Sequence, residues 1–319
     1  MVRPLRSRSA VVTVLTALTV AAVPTAAFAA APTATAAAPV VTPVVTPVPT
    51  ATPTPTPAPT PGPAATCAPA EGFTRLSGGA LYRLHDDQLL GGAATLAETG
   101  TVGSGWGSFA WTGAGGDGVL YALTSTGALR WYRYDVATSS WAKGSGTVVG
   151  TGFTPGTKVV NIAVGARGWI YTVRTDGRMA LYQHTGRLTG APSWVNGAGF
   201  VLGSGWTGDE LIAPTGDGTL YRQRGGELFW FRHSDPTAGP VTWANAGRAV
   251  RIGTGWRFYD LLALGGGVLL ATAAPSGQVS LYRHADPAGG SPGWTVSGLR
   301  KYQARADSFG VTVAPGTCV

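Results

Sequence analysis

Gly203-Ser204-Gly205-Trp206, then Gly218-Thr219-Leu220-Tyr221, then Leu228-Phe229-Trp230-Phe231-Arg232-His233 and, after a loop, Trp243 form one pass of a pattern that the chain repeats. The G-x-G-aromatic opening recurs at Gly103–Trp106, Gly150–Phe153 and Gly253–Trp256, in steps of 47, 53 and 50 residues. Its companions recur in the same order. G-x-apolar-[Tyr or Leu] stands at Gly118–Tyr121, Gly168–Tyr171 and Gly267–Leu270, alternating stretches at Leu129–Tyr134, Met179–His184 and Val279–His284, and Trp141, Trp194 and Trp294 follow them. Glycine punctuates, aromatic and branched residues fill the intervals, and no helical periodicity occurs within a unit. Each unit therefore reads as four short strands joined by tight turns.

One such sheet cannot bury both faces alone, so the copies must pack face to face, and the closed solution that protects most strand edges is a β-propeller. Four units span Gly103 to Gln303. The remainder completes a fifth: Gly72–Leu76, Ala80–Leu84 and a strand near Leu96 supply its later strands, and Asp307–Val313 supplies the missing first one. The expected fold is all-β, a five-bladed propeller of four-stranded blades closed by joining its N- and C-terminal segments. Cys67 and Cys318 are the only cysteines and flank this domain. In an oxidising compartment a Cys67–Cys318 disulfide would clasp the ring at its joint, the alternative being two free thiols.

The first 66 residues have a different composition. Arg3, Arg6 and Arg8 precede an apolar stretch from Ala10 to Val23, then Pro24 and the small-residue run Ala27-Phe28-Ala29. That order predicts an export signal over 1–29; an uncleaved anchor is the alternative, against which Pro24 and the small residues weigh. Residues 30–66 are rich in Pro, Thr and Ala, uncharged, and hold 11 of the 23 prolines, as in an extended polyproline-like spacer. The folded domain is expected over 67–319. Loss of the three leader arginines lowers the formal net charge from +8 to +5, with no basic run longer than two residues, which excludes a nucleic-acid footprint.

G-x-G-W, then Gly118–Leu123 (G-V-L-Y-A-L), then W-Y-R-Y at Trp131–Tyr134 or L-Y-R-H at Leu281–His284, then Trp, together resemble the tachylectin-2 family of lectins over residues 67–319. The resemblance implies a five-bladed propeller that binds glycans carrying N-acetylglucosamine or N-acetylgalactosamine in shallow pockets between blades, with no cofactor and no metal. Each pocket would form between the outer loop of one blade and the segment arriving from the preceding blade. Carried onto this chain, it points to His233 and Asp235 with Asn196, to His284 and Asp286 with Asn245, and to His184 with the segment after Trp141. Trp106, Phe153, Trp206 and Trp256 are read as fillers of the seams between blades. The spacing from Tyr132 to Trp141 is nine residues where the other three are twelve, and the half-unit at Tyr82 has Leu96 near the place of the tryptophan, so about three competent sites are expected.

Enzyme chemistry is not expected. The three histidines occupy equivalent points on different blades and cannot converge on one metal or base. Gly203, Gly205 and Gly208 match a dinucleotide fingerprint by accident, with no helix to follow. The few acidic residues are mostly isolated, whereas glycoside hydrolysis needs two opposed carboxylates. Two other readings stay open: a propeller acting as a protein-interaction platform, and a degenerate calcium-binding FG-GAP-like propeller, suggested by Gly116-Asp117-Gly118 and Gly216-Asp217-Gly218. The chain is expected to be secreted or held at the cell surface, touching a membrane only through an uncleaved signal.

Overall fold

The computed structural model describes residues 65–207 and 210–319, where regular structure is β except for three 3-10 turns. The expected export signal and all but the last two residues of the expected linker lie outside the described residues. Five antiparallel sheets follow one another along the chain. Blade 2 comprises β4 (Trp111–Gly116), β5 (Val119–Leu123), β6 (Leu129–Asp135) and an interrupted outer strand, β7 (Ser140–Trp141) and β8 (Thr147–Gly150), both paired to β6. Blade 3 comprises β9 (Val159–Val164), β10 (Trp169–Arg174), β11 (Met179–Gln183) and β12 (Phe200–Gly203). Blade 4 comprises β13 (Leu211–Pro214), β14 (Thr219–Arg224), β15 (Glu227–Arg232) and β16 (Val250–Thr254). Blade 5 comprises β17 (Asp260–Gly265), β18 (Val268–Thr272), β19 (Gln278–His284) and β20 (Trp294–Gln303).

Blade 1 draws on both ends of the domain, as the repeat count requires. Its order is β21 (Ser308–Val313), β1 (Ala70–Leu76), β2 (Leu81–Asp86), β3 (Ala97–Gly103). Beyond it Thr66 and Val319 exchange backbone hydrogen bonds of 3.0 and 2.9 Å, and Cys67 and Cys318 are joined by a disulfide. The first strands of the five blades neighbour one another in succession and line a central channel, so the ring is closed.

Apolar side chains gather in five clusters, each drawing on two neighbouring blades, as a sheet with two apolar faces demands. Trp131, Trp169 and Trp230, none more than 2% exposed, are among the largest buried side chains. The turn glycines set strand spacing. Gly118, Gly168, Gly218 and Gly267 all have φ between 74° and 91°, and a Cβ there would strike the carbonyl of Tyr134, His184, His233 or His284. Three of those same glycines accept a hydrogen bond from the backbone N–H of His184, His233 or His284, at 2.9 to 3.0 Å, so the repeated glycine lets one strand lie close against the next.

Candidate functional site

Two interactions rivet successive blades together. The indole N–H of Trp141, Trp194, Trp243 and Trp294 reaches back to the outer strand of the preceding blade and donates to the carbonyls of Val102, Val149, Leu202 and Ile252, at 2.7 to 3.1 Å. Behind these indoles the hydroxyls of Tyr121, Tyr171 and Tyr221 meet the rings of His184, His233 and His284 of the following blade, at 2.9 to 3.2 Å.

Above Trp194, Trp243 and Trp294 a recess opens at the seam. Between blades 2 and 3 it is walled by Gly150–Phe153 from one side and by Tyr182, Trp194 and Gly197 from the other, with a volume of about 380 Å³. Leu202–Ser204 and Trp206 face Phe231, Trp243 and Gly247 between blades 3 and 4, around about 440 Å³. Gly253–Trp256 face Tyr282, Trp294 and Ser297 between blades 4 and 5, around about 360 Å³. The central channel, by contrast, offers about 60 Å³, room for a few waters. The seam recesses are at the lower end of the size range of small-ligand pockets. They fall at the three seams with the twelve-residue aromatic-to-Trp spacing.

The fifth seam is built differently. It lacks the tryptophan: Leu96 is buried there and its N–H donates to the Lys301 carbonyl at 3.2 Å. Lys301, wholly buried, lies 3.1 Å from the equally buried Asp86 and donates to the carbonyls of Gln88 and Gly92 and to the Thr95 hydroxyl. Nearby, Glu98 accepts from Arg305 and from the Tyr302 hydroxyl, and the Arg305 guanidinium lies 4.5 Å over the Tyr82 ring. An ionic lock thus stands where the other seams carry an aromatic rivet.

The seven ligand-contact residues expected from sequence are placed elsewhere than the walls of these three recesses. His184, His233 and His284 are at most 2% exposed and lie behind the indoles. Each has its second ring nitrogen on a carbonyl, Ala191 at 2.7 Å, Ser234 at 2.6 Å and Ser291 at 2.9 Å. The nitrogen facing a carbonyl carries a proton, and in the neutral ring, which burial favours, the other nitrogen accepts from the tyrosine hydroxyl. Burial holds all three histidines below their ordinary pKa, and the carbonyl contacts only partly oppose it. With both nitrogens engaged within the protein, these rings support the seam and do not line a recess. Asp235 accepts from the N–H and hydroxyl of Thr237, and Asp286 from the N–H groups of Gly289 and Ser291; both shape the loops that present those carbonyls. Asn196 and Asn245 close the turns after Trp194 and Trp243, bonding within their own loops. None of the seven lines a recess, and Asn196 adjoins the recess at Trp194, not the one near His233.

Trp106, Phe153, Trp206 and Trp256 are buried at 4 to 7% exposure, and Phe153, Trp206 and Trp256 also floor the recesses. What the sequence reading left out of the site is the second aromatic pair: Tyr182 with Trp194, Phe231 with Trp243, and Tyr282 with Trp294. Their signal was in the repeat itself, since both members recur in register. The aspartates that suggested calcium loops are engaged too, Asp117 by Arg187 at 2.5 Å and Asp217 by Thr215, Thr219 and Arg232.

Among solved structures the chain is similar to one from work on the de novo evolutionary emergence of a symmetrical protein, at 18% identity and a TM-score of 0.50, covering 77% of this chain and 98% of that one. A calcium-binding regucalcin of Agrobacterium tumefaciens matches at 15% identity, TM-score 0.36, over 76% of this chain and 77% of that one. The periplasmic gluconolactonase of Pseudomonas aeruginosa matches at 17% identity, TM-score 0.37, over 76% and 69%. No curated protein matches. The Tachylectin family matches residues 77–304, all four complete units and the two outer strands, β2 and β3, of blade 1, and the chain belongs to that family.

Proposed function

We propose that the protein is an exported, non-enzymatic lectin whose seam recesses each hold one N-acetylated amino sugar, N-acetylglucosamine or N-acetylgalactosamine. The observation that carries this is repetition: corresponding residues of three successive seams build the same recess, with a G-x-G backbone on one wall and two aromatic side chains on the other. A pyranose has an apolar face for the aromatics, and its hydroxyls and acetamide suit backbone N–H and C=O groups. No carboxylate lines any of the three, which supports binding over glycoside hydrolysis. Each site alone would be weak, and a surface carrying many such sugars would be held by several sites at once.

A glycan array with the full chain tests the reading, followed by calorimetry with N-acetylglucosamine. The expected result is binding confined to amino-sugar glycans, with a stoichiometry near three. No amino-sugar binding, together with tight binding to a glycan-free protein, would replace the lectin reading with the interaction platform.

A further inference from the structure

The three recesses share their aromatic and glycine walls but not their charge. The one at Trp294 has no charged residue among its walls. In the one at Trp243 the cation is Arg222, which lies 5.0 to 5.4 Å over three aromatic rings and 3.9 Å from the wholly buried Glu210, a carboxylate that offsets it. The one at Trp194 has two cations, Lys158 and Arg174, and no carboxylate. These two are neighbours by construction, since Arg174 pairs in register with Val159 and the Thr175 N–H donates to the Lys158 carbonyl at 3.3 Å. Arg174 is aimed by one nitrogen only, donating to the Tyr182 hydroxyl at 3.0 Å and the Ala198 carbonyl at 3.3 Å. Its Nε and Nη1 have no acceptor among the described residues, and the exposed Lys158 ammonium has none either.

Two cations side by side repel each other, and no carboxylate in the recess offsets that repulsion; Asp176, two residues on from Arg174, feels its charge but is paired with Arg178. From this we infer that the recess at Trp194 is specialised for an anionic amino sugar, one whose ring carries a carboxylate or a phosphate, while the recesses at Trp243 and Trp294 take neutral ones. The inference rests on the lectin reading above. A guanidinium with free donors on one edge and an adjacent ammonium suit two oxygens of an anionic substituent, while Tyr182 and Trp194 take the ring. The chain would then read two features of a decorated surface at once, the amino sugar at three points of the ring and its acidic substitution at one.

Calorimetry on the full chain tests this with three probes: N-acetylglucosamine, N-acetylmuramic acid, which adds a carboxylate, and N-acetylglucosamine 6-phosphate. At least one anionic probe should bind one site roughly tenfold more tightly than the neutral sugar, as one additional charge-assisted hydrogen bond gives. The excess should shrink as salt is raised beyond about 0.15 M, and which probe shows it identifies the anion. Lys158→Gln with Arg174→Gln should abolish the excess and leave neutral binding at the other two recesses. Lys158→Gln alone, at an exposed side chain, should lower the excess without disturbing the fold. Equal affinities for all three probes, or an excess that survives the double substitution, would overturn the inference while leaving the lectin reading intact. No binding of any probe would overturn both.

Discussion

Tyr171 and His233 show how much of each seam rests on one contact between two buried polar groups. Removing the hydroxyl leaves His233 Nε2 buried without a donor, so Tyr171→Phe should destabilise the domain by about 1–3 kcal/mol in urea unfolding, more than the loss of one exposed hydrogen bond. The same histidines set a pH dependence. Their folded pKa values lie below the ordinary 6.5 because burial disfavours the charged ring. The unfolded chain therefore takes up protons first as pH falls. Stability is full above about pH 6.5, declines below it, and levels off once the folded values are passed. Denaturation midpoints should be lower near pH 5.5 than near pH 7.5, and His233→Gln should reduce the difference. These residues also mark where the sequence misleads. Strict alternation places Leu281 inside and His284 outside; irregular register between β19 and β20 instead leaves Tyr282 and Arg283 half-buried and returns His284 to the interior. A bulge leaves no composition signal, so alternation alone misplaces His284. The aromatic repeat, which depends on residue type alone, was fully legible.

At the level of elements, the outer strand is where the blades differ. In blades 3 and 4 the third strand meets its tryptophan through an isolated bridge, His184 with Trp194 and His233 with Trp243, and only then does the outer strand resume. In blade 5 the strand β20 runs unbroken from Trp294 to Gln303. That continuity brings Lys301 into the seam with blade 1, where Asp86 and Thr95 wait for it. A buried pair of this kind is costly to break and cheap to replace. Lys301→Met alone should destabilise by about 3–5 kcal/mol, while Lys301→Met with Asp86→Leu should recover most of the loss, as read by thermal unfolding of both variants. The sequence signalled only that this seam lacks a tryptophan; which residues replace it depends on a contact between chain segments more than two hundred residues apart.

Across the whole molecule, the ring has one joint, in blade 1. The strand β21 pairs with β1, residues 66 to 68 pair with 317 to 319, and the disulfide bridges a separation of 251 residues. For a loop that long the chain-entropy relation gives roughly 5 kcal/mol, an upper figure. Cys67→Ser with Cys318→Ser should lower the melting temperature without changing the strand content measured by circular dichroism, and mass spectrometry of a non-reduced digest should find the two cysteines in one linked peptide. Fold and joint were legible because a closed ring made from a counted repeat leaves a remainder, and the remainder had to fit itself.

The pairing of Thr66 with Val319 means that the ring has no structurally required starting point. Joining those two ends with a short peptide and opening the chain at Gly239, on the exposed loop of blade 4, would change the order in which blades are synthesised but not which blade touches which. A circularly permuted chain of that design would move the joint to blade 4 and make blade 1 from continuous sequence. The propeller is in that sense a cycle of seams, and the place where translation begins is a property of the gene, not of the fold.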